Sequence, residues 1–350
     1  MIINVRTVFK SENCGSYLQA WALKEQLSAM GNSVYFSDYF VQDNTWDVIR
    51  DVIKCALRFR FKRAQSILNK KFDYKKFQKE FAVLNHETPF DVCFFGSDTI
   101  WNFRNSFFEN NALFFVGKDV EKPCYCYAVS AGSTDKEMFL KNKEIIKSIQ
   151  KFKKIAVRDI HTETLLSEIY PGNNIFRTVD PTLLLNKDIY IKKFISKKCS
   201  LPKFLLVYYF GRIPDEIFKA LSNFSRERNL KIVSVGYYEK TYDIFLSYSP
   251  SNFITAFANA EYVFTNTFHG CVFSTIFNKQ FATDGIEKKK IEGFLEEFSL
   301  LDRVVTTADD VEKVMTTSVD YDKVNSLVSE ARGRSIEYLQ SVIDEVKGNE

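Results

Sequence analysis

Ile2 to Phe9 is a short apolar run of strand length, followed by the polar loop Lys10 to Gly15. From about Ser16 to Met30 the pattern changes: Ala20, Leu23, Leu27 and Met30 recur at spacings of three, four and three, one face of an α-helix, and Gly31 supplies a stop. Ser33 to Asp38 then alternates as a second strand. Strand, loop, helix, strand is the opening unit of a parallel sheet covered by helices. After Pro89 the pattern predicts strands at Asp91 to Phe95, Cys124 to Val129, Lys154 to Val157 and Ile175 to Val179, with a helix over Asp135 to Gln150. Each strand stops at a small polar loop: Gly96-Ser97-Asp98, Ser130-Ala131-Gly132, Arg158-Asp159 and Asp180-Pro181-Thr182. In an open α/β sheet that carboxyl edge is where ligands bind.

The polar, lysine-rich stretch Asn186 to Pro202 reads as an interdomain crossing, after which the alternation restarts. Strands are predicted at Lys203 to Tyr209, Lys231 to Val235, Glu261 to Thr265 and Gln280 to Thr283. Helices are predicted at Pro214 to Arg228, at Ser249 to Ala260, after Gly270, and over Tyr321 to Val346. Two such βα series predict an α/β fold of two Rossmann-like domains facing a cleft. The expected boundaries are 1–200, 201–320 and a C-terminal helix, 321–350, packing back on the first domain.

Composition narrows the class. With 350 residues, 45% hydrophobic and 26% charged, the chain has enough apolar residues for sizeable cores. The start reads as a strand rather than a signal peptide, and no stretch reaches the roughly 20 apolar residues of a membrane span. The seven scattered cysteines include no C-x-x-C pair, which argues against structural zinc and a disulfide framework and fits a cytoplasmic protein. His86, His161 and His269 are the three histidines and lie far apart, a poor basis for a metal site. No metal and no organic cofactor is expected.

The net charge of +4 is too small for a general nucleic-acid binder, but it is unevenly spread. Arg50 to Glu80 carries eleven Lys or Arg, Arg60 and Lys62 among them, against Asp51, Asp73 and Glu80. That is +8, leaving about −4 on the remainder. Val52, Ile53, Ala56, Leu57, Ala64, Ile67 and Leu68 interleave at helical spacing, so one or two amphipathic helices are expected. They present either a solvated face or a peripheral contact with an anionic membrane surface or lipid-linked acceptor.

The most informative stretch for chemistry runs from Glu261 to Ser274. A strand ends at Thr265, a polar turn presents His269, and Gly270 lets a helix begin with its first amides open to an anion. A histidine there serves either as an acid beside a bound anion or as a structural hydrogen-bond partner. Cys14, Cys93 and Cys271 lack a neighbouring base in sequence, so no thiol nucleophile is expected. Asp320-Tyr321-Asp322 reads as a helix cap, and Asp180-Pro181 as a turn.

An ordered series of motifs resembles the polysaccharide pyruvyl transferase family. It comprises Asn13-Cys14-Gly15-Ser16-Tyr17-Leu18-Gln19-Ala20, Phe95-Gly96-Ser97-Asp98-Thr99-Ile100-Trp101-Asn102, Tyr127-Ala128-Val129-Ser130-Ala131-Gly132, Ile155-Ala156-Val157-Arg158-Asp159, Val179-Asp180-Pro181-Thr182, and Ser249-Pro250-Ser251-Asn252-Phe253 leading into Thr265-Asn266-Thr267-Phe268-His269-Gly270. The resemblance implies a GT-B-like fold and transfer of a pyruvyl group from phosphoenolpyruvate to a saccharide, lipid-linked or not, as a ketal with release of phosphate. It places His269 and Arg158 at the donor, with Gly270, Cys271, Thr267 and Ser274 binding phosphate. Arg158 is alternatively a salt-bridge partner of Asp159 or a helix end. On the acceptor side it implies Asn13, Gly15, Ser16, Gln19, Ser97 and Trp101, with Asp98 as the base. Asn13 and Ser16 serve equally well as helix caps, and Asp98 as a loop-capping carboxylate. Many members carry Arg two residues before the histidine; here that residue is Thr267, leaving one donor cation unaccounted for. A sugar-nucleotide glycosyltransferase and a non-catalytic scaffold in polysaccharide assembly are the alternatives.

Overall fold

The computed structural model describes residues 1–39, 45–59, 61–85, 88–171, 175–237, 239–285 and 289–348. His86, Arg60 and the side chain of Lys62 lie outside the described residues. The chain divides into two compact units. The first comprises Met1–Gln42, Gln78–Leu185 and Val328–Glu350; the second, Asp43–Phe77 and Asn186–Leu327.

The first unit is built on six parallel strands: β1 (Ile2–Arg6), β2 (Ser33–Phe36), β3 (Val92–Phe95), β4 (Cys124–Val129), β5 (Lys154–Val157) and β6 (Ile175–Arg177). Their order in the sheet is β2-β1-β3-β4-β5-β6, with Arg6 beside Phe95 at the carboxyl ends of β1 and β3. Every residue of β3 and β4 is buried, as expected where helices cover both faces. The second unit has five parallel strands, β7 (Phe204–Tyr208), β8 (Lys231–Val235), β9 (Ile244–Leu246), β10 (Tyr262–Thr265) and β11 (Gln280–Thr283), in the order β11-β10-β7-β8-β9. Its core joins Leu205, Val207 and Phe264 of the sheet to Ile217, Leu221 and Phe224 of the helix Asp215–Glu227. Both sheets reverse strand order once, between β1 and β3 and between β7 and β10. Such switch points open a crevice at the carboxyl edge of a parallel sheet.

The helix after β1 spans Cys14–Ala29, with Asn13 accepting from the amides of Gly15 and Ser16. Ala20, Leu23 and Leu27 are buried as their spacing predicts, and the chain leaves the helix through Gly31 at φ 82°, a left-handed position that glycine adopts without steric cost. Four expectations need correction. The single helix over Asp135 to Gln150 is two, Lys136–Leu140 and Lys143–Ile149, because Asn142 caps the second by accepting from Glu144 and Ile145. The stretch read as a crossing contains the helix Lys187–Phe194, capped by Asn186 and grouped with the second unit. The basic segment forms the helices Thr45–Leu57 and Phe61–Gln78 and groups up to Phe77 with the second unit, not with the N-terminal residues. β9 was not expected; its three half-buried residues make a short edge strand.

The helix Tyr321–Gly348 ends the described chain, and from Val328 it belongs to the first unit. Within that unit the Ser335 hydroxyl accepts from the Val179 amide at 2.9 Å, Tyr338 donates to the Cys126 carbonyl at 2.7 Å, and Tyr125 donates to Glu345 at 2.8 Å.

Candidate functional site

In the first unit, the loops leaving β1 and β3 meet at the switch point. Ser16, in the first turn of the helix after β1, donates from its hydroxyl to Asp98 Oδ2 at 2.6 Å, and the Thr99 amide donates to Asp98 Oδ1 at 2.8 Å. Asp98 has φ 70°, a left-handed conformation that Asp tolerates better than most side chains, and remains half-buried. Asn13 lies beside this pair and caps the helix, at 2.8 Å from the Gly15 amide and 3.3 Å from that of Ser16. Asn13, Ser16 and Asp98 are thus brought together with a partly exposed edge, where a sugar hydroxyl can meet a carboxylate.

Four acceptor-side expectations are overturned by burial. Trp101 has no exposed surface, and its indole N–H donates to the Phe115 carbonyl at 3.0 Å, so it offers no ring face to a sugar. Gln19 is fully buried and donates to Thr7 Oγ1, the Val8 carbonyl and the Ser16 carbonyl. Ser97 is fully buried; its carbonyl accepts from Thr7 Oγ1 at 3.0 Å and its hydroxyl accepts from the Asp98 amide at 2.5 Å. Gly15 is buried as well. Gln19, Thr7 and Ser97 form the scaffold that holds the Ser16 and Asp98 loops in register.

Arg158 follows β5 and is also committed inside the unit. Its guanidinium pairs at 2.7 Å with Asp180 Oδ2, and both side chains are essentially inaccessible. Burial works against the charge of Arg158, but the carboxylates of Asp180, Asp98 and Asp159 outweigh it and its pKa is raised. The partner is Asp180, not the Asp159 expected as an alternative; Asp159 instead caps the helix Ile160–Ile169 by accepting from the Thr162 amide and hydroxyl. Asp180 Oδ1 accepts from the Thr182 amide and hydroxyl, fixing the turn at Pro181. A side chain so placed acts on a ligand only through the field it contributes near Asp98.

In the second unit the equivalent switch point lies between the ends of β7 and β10. Asn266 bridges them: its carbonyl oxygen accepts from the Phe210 amide at 2.8 Å and its amide nitrogen donates to the Phe210 carbonyl at 3.0 Å. The following helix is Phe268–Ile276, beginning ahead of Gly270 and not after it. Thr267 is the cap; its hydroxyl accepts from the Gly270 amide at 2.9 Å, and its carbonyl accepts from the Cys271 amide at 3.1 Å. The amides of Gly270 and Cys271 are therefore already used and are not open to an anion. Thr267, Cys271 and Ser274 are buried, with the Ser274 hydroxyl donating to the Gly270 carbonyl at 2.7 Å. Glycine is required at 270, because a Cβ there would lie 2.0 Å from Thr265 Oγ1 and 2.6 Å from Thr267 Oγ1.

His269 is the half-buried member of this turn, one residue inside the helix, with its ring edge-on to Phe268 at 5.3 Å and its Nε2 atom buried. Two further polar residues besides Asn266 stand at the carboxyl edge of this sheet without having been expected there. Tyr209, just after β7, donates to Asp284, just after β11, at 2.7 Å. Burial, with the Asp284 carboxylate adding to it, pushes the Tyr209 phenol above its ordinary value. The signal for these is a polar residue directly after an apolar strand. Among the described residues no group of three His, Cys, Asp or Glu is placed to hold a metal ion.

A family model described as polysaccharide pyruvyl transferase matches residues 13–283. No curated protein matches the chain by sequence at a significant level. Among solved structures, the chain is similar to a UDP-N-acetylglucosamine 2-epimerase from Rickettsia bellii, with 12% identity and a TM-score of 0.53 over 99% of this chain and 96% of that one. It is similar also to MnaA of S. aureus in complex with UDP, with 13% identity and a TM-score of 0.52 over 98% and 96%. A third is UGT89C1 of Arabidopsis thaliana complexed with UDP, with 10% identity and a TM-score of 0.51 over 99% of each chain. At these identities the likeness shows a shared fold, the GT-B class of two parallel-sheet α/β domains.

Proposed function

Because the chain belongs to the polysaccharide pyruvyl transferase family, we propose that it transfers a pyruvyl group from phosphoenolpyruvate to two hydroxyls of one sugar in a surface polysaccharide or its precursor. The observation that carries this reading is the placement of His269: half-buried, in the first turn of the helix after β10, at a strand-order switch point, within the matched span. Phosphoenolpyruvate carries a phosphate and a carboxylate, and although the Gly270 and Cys271 amides are taken by Thr267, the helix dipole still favours negative charge near this first turn.

In this reaction the enol CH2 of the donor takes a proton from the His269 imidazole and becomes a methyl group, leaving cationic character at C2. A sugar hydroxyl attacks C2 and gives its proton to Asp98, whose carboxylate is held ready by Ser16 and Thr99. The bond from C2 to the phosphate oxygen then breaks, phosphate departs with its electron pair, and a second hydroxyl of the same sugar closes the ketal. One hydroxyl proton balances the new methyl group and the other leaves with phosphate. Arg158 keeps its pair with Asp180 and contributes only its field near Asp98 rather than touching substrate.

The test is phosphate release from phosphoenolpyruvate in the presence of saccharide acceptors. Release that depends on acceptor, and falls by about 10²- to 10⁴-fold in His269→Ala, is expected. Two of the similar structures are complexes with UDP, and Thr267 stands where many members carry Arg, so UDP-sugars are the control donor. Glycosyl transfer from a UDP-sugar without phosphate release would replace this reading, and binding of neither donor would favour a scaffold.

A further inference from the structure

The helices Thr45–Leu57 and Phe61–Gln78 each have two apolar faces, and the second unit uses one of them. On the inner side Cys55, Ala64 and Tyr74 are buried. The Tyr74 ring lies 6.0 Å from that of Tyr248, the Lys70 ammonium 5.4 Å from the Tyr248 ring centroid, and Phe77 6.2 Å from Phe194. On the outer side of the first helix Trp46, Ile49, Ile53 and Leu57 follow at spacings of three, four and four, and Trp46 and Leu57 are 80% and 75% exposed. Phe59 and Phe61 stack edge-on at 6.2 Å just beyond, 84% and 62% exposed, and Leu68 and Phe72 continue the row on the second helix. Apolar rows of this size on a folded protein mark a contact surface.

Charge decides what the contact is. Arg50 and Lys54 flank the stripe on the first helix, paired in part with Asp47 at 2.8 Å and Asp51 at 4.0 Å. Exposed Lys75, Lys76 and Lys79 extend the line of Phe61, Leu68 and Phe72 toward the end of the second helix and into the turn after it. A two-fold contact with a second copy would set this +8 segment against itself. A cationic rim around Trp, Phe, Ile and Leu is instead the composition of a helix lying in the interface of an anionic bilayer, tryptophan at headgroup depth and lysines on the phosphates. Among the described residues no helix is long and apolar enough to cross a membrane, so the contact is peripheral.

We propose that the helices Thr45–Leu57 and Phe61–Gln78 seat the protein on an anionic phospholipid surface, with Trp46, Leu57, Phe59 and Phe61 entering the boundary between headgroups and acyl chains. This is independent of which donor the enzyme uses. It confines the protein to the surface on which lipid-linked saccharides reside.

Trp46 provides its own reporter, since the other two tryptophans, Trp21 and Trp101, are 1% and 0% exposed. The full chain is mixed with vesicles of phosphatidylglycerol and phosphatidylcholine, or of phosphatidylcholine alone, and followed by sedimentation and tryptophan emission. Sedimentation with the anionic vesicles and a blue shift are expected, the shift disappearing in Trp46→Phe while sedimentation persists. Lys75→Glu with Lys76→Glu should weaken binding by about tenfold or more, with an unchanged circular dichroism spectrum showing that the fold is retained. Failure to sediment with anionic vesicles, or equal binding to phosphatidylcholine alone, overturns the proposal. So does a lipid-free blue shift that grows with protein concentration, which would assign the stripe to self-association.

Discussion

The Ser16 hydroxyl and the Asp98 carboxylate lie 2.6 Å apart although 82 residues separate them, and they meet where the strand order of the first sheet reverses. One comes from the helix after β1, the other from the loop after β3, and a buried chain of Gln19, Thr7 and Ser97 holds the two loops together. A carboxylate held this firmly needs no reorganisation when it accepts a proton.

Asp98→Asn should keep the fold, since Asn adopts left-handed backbone as readily as Asp, and should lower turnover by about 10²- to 10⁴-fold. Ser16→Ala removes one hydrogen bond to the carboxylate and should lower turnover by about tenfold, with a stability loss of about 1 kcal/mol. Steady-state rates alongside thermal unfolding separate the two effects. Full activity in Asp98→Asn would remove it as the base.

Gly270→Ala should destabilise the second unit by about 1–3 kcal/mol, the range for overpacking, because the new methyl group collides with the Thr265 and Thr267 hydroxyls. Thr267→Ala removes the cap and should cost about 1 kcal/mol, whereas Thr267→Ser should be nearly neutral. Denaturant unfolding of the three variants checks the order.

Asp180→Ala leaves the Arg158 guanidinium buried without its ion-pair partner and should cost about 3–5 kcal/mol. Replacing both residues together, as Arg158→Met with Asp180→Ala, should cost less than the sum of the single changes. Additive losses would mean that the pair is not coupled.

The Asp119 carboxylate accepts two hydrogen bonds from the Arg6 guanidinium, at 2.6 and 2.8 Å, which hold its pKa below the usual carboxylate range. A lowered folded-state pKa contributes stability that is intact above about pH 5 and fades as the pH falls through that lowered value. Asp119→Asn should therefore lower the unfolding temperature at pH 7, modestly because Asp119 is 62% exposed. The difference from the unsubstituted protein should vanish in acid. A difference that persists in acid well below that lowered pKa would show that the contribution is not ionic.

Most of the fold was legible because parallel strands covered on both faces appear as unbroken apolar runs. β4, β5 and β8 begin and end where the sequence places them. Helix breaks were less legible: Asn142 and Asn186 start helices by capping, a local choice that hydrophobic spacing does not display. The site was legible as positions and not as roles. Polar residues after strands do gather at the two switch points, yet Trp101, Gln19 and Ser97 proved to be scaffold because exposure is a property of packing. Thr267 reads as a donor ligand until the helix is seen to start at Phe268, where its hydroxyl becomes the cap. The exposed stripe from Trp46 to Phe72 was hidden for a related reason: spacing shows an apolar face without showing whether anything covers it.

The central claim, a phosphoenolpyruvate site at His269, is tested most directly by ligand-dependent thermal unfolding. Phosphoenolpyruvate at about 100 times its dissociation constant stabilises by about 2.7 kcal/mol, so the unfolding temperature should rise with phosphoenolpyruvate, stay unchanged with UDP-N-acetylglucosamine, and lose the rise in His269→Ala. No rise with phosphoenolpyruvate, or a rise with the sugar nucleotide in its place, would contradict the account.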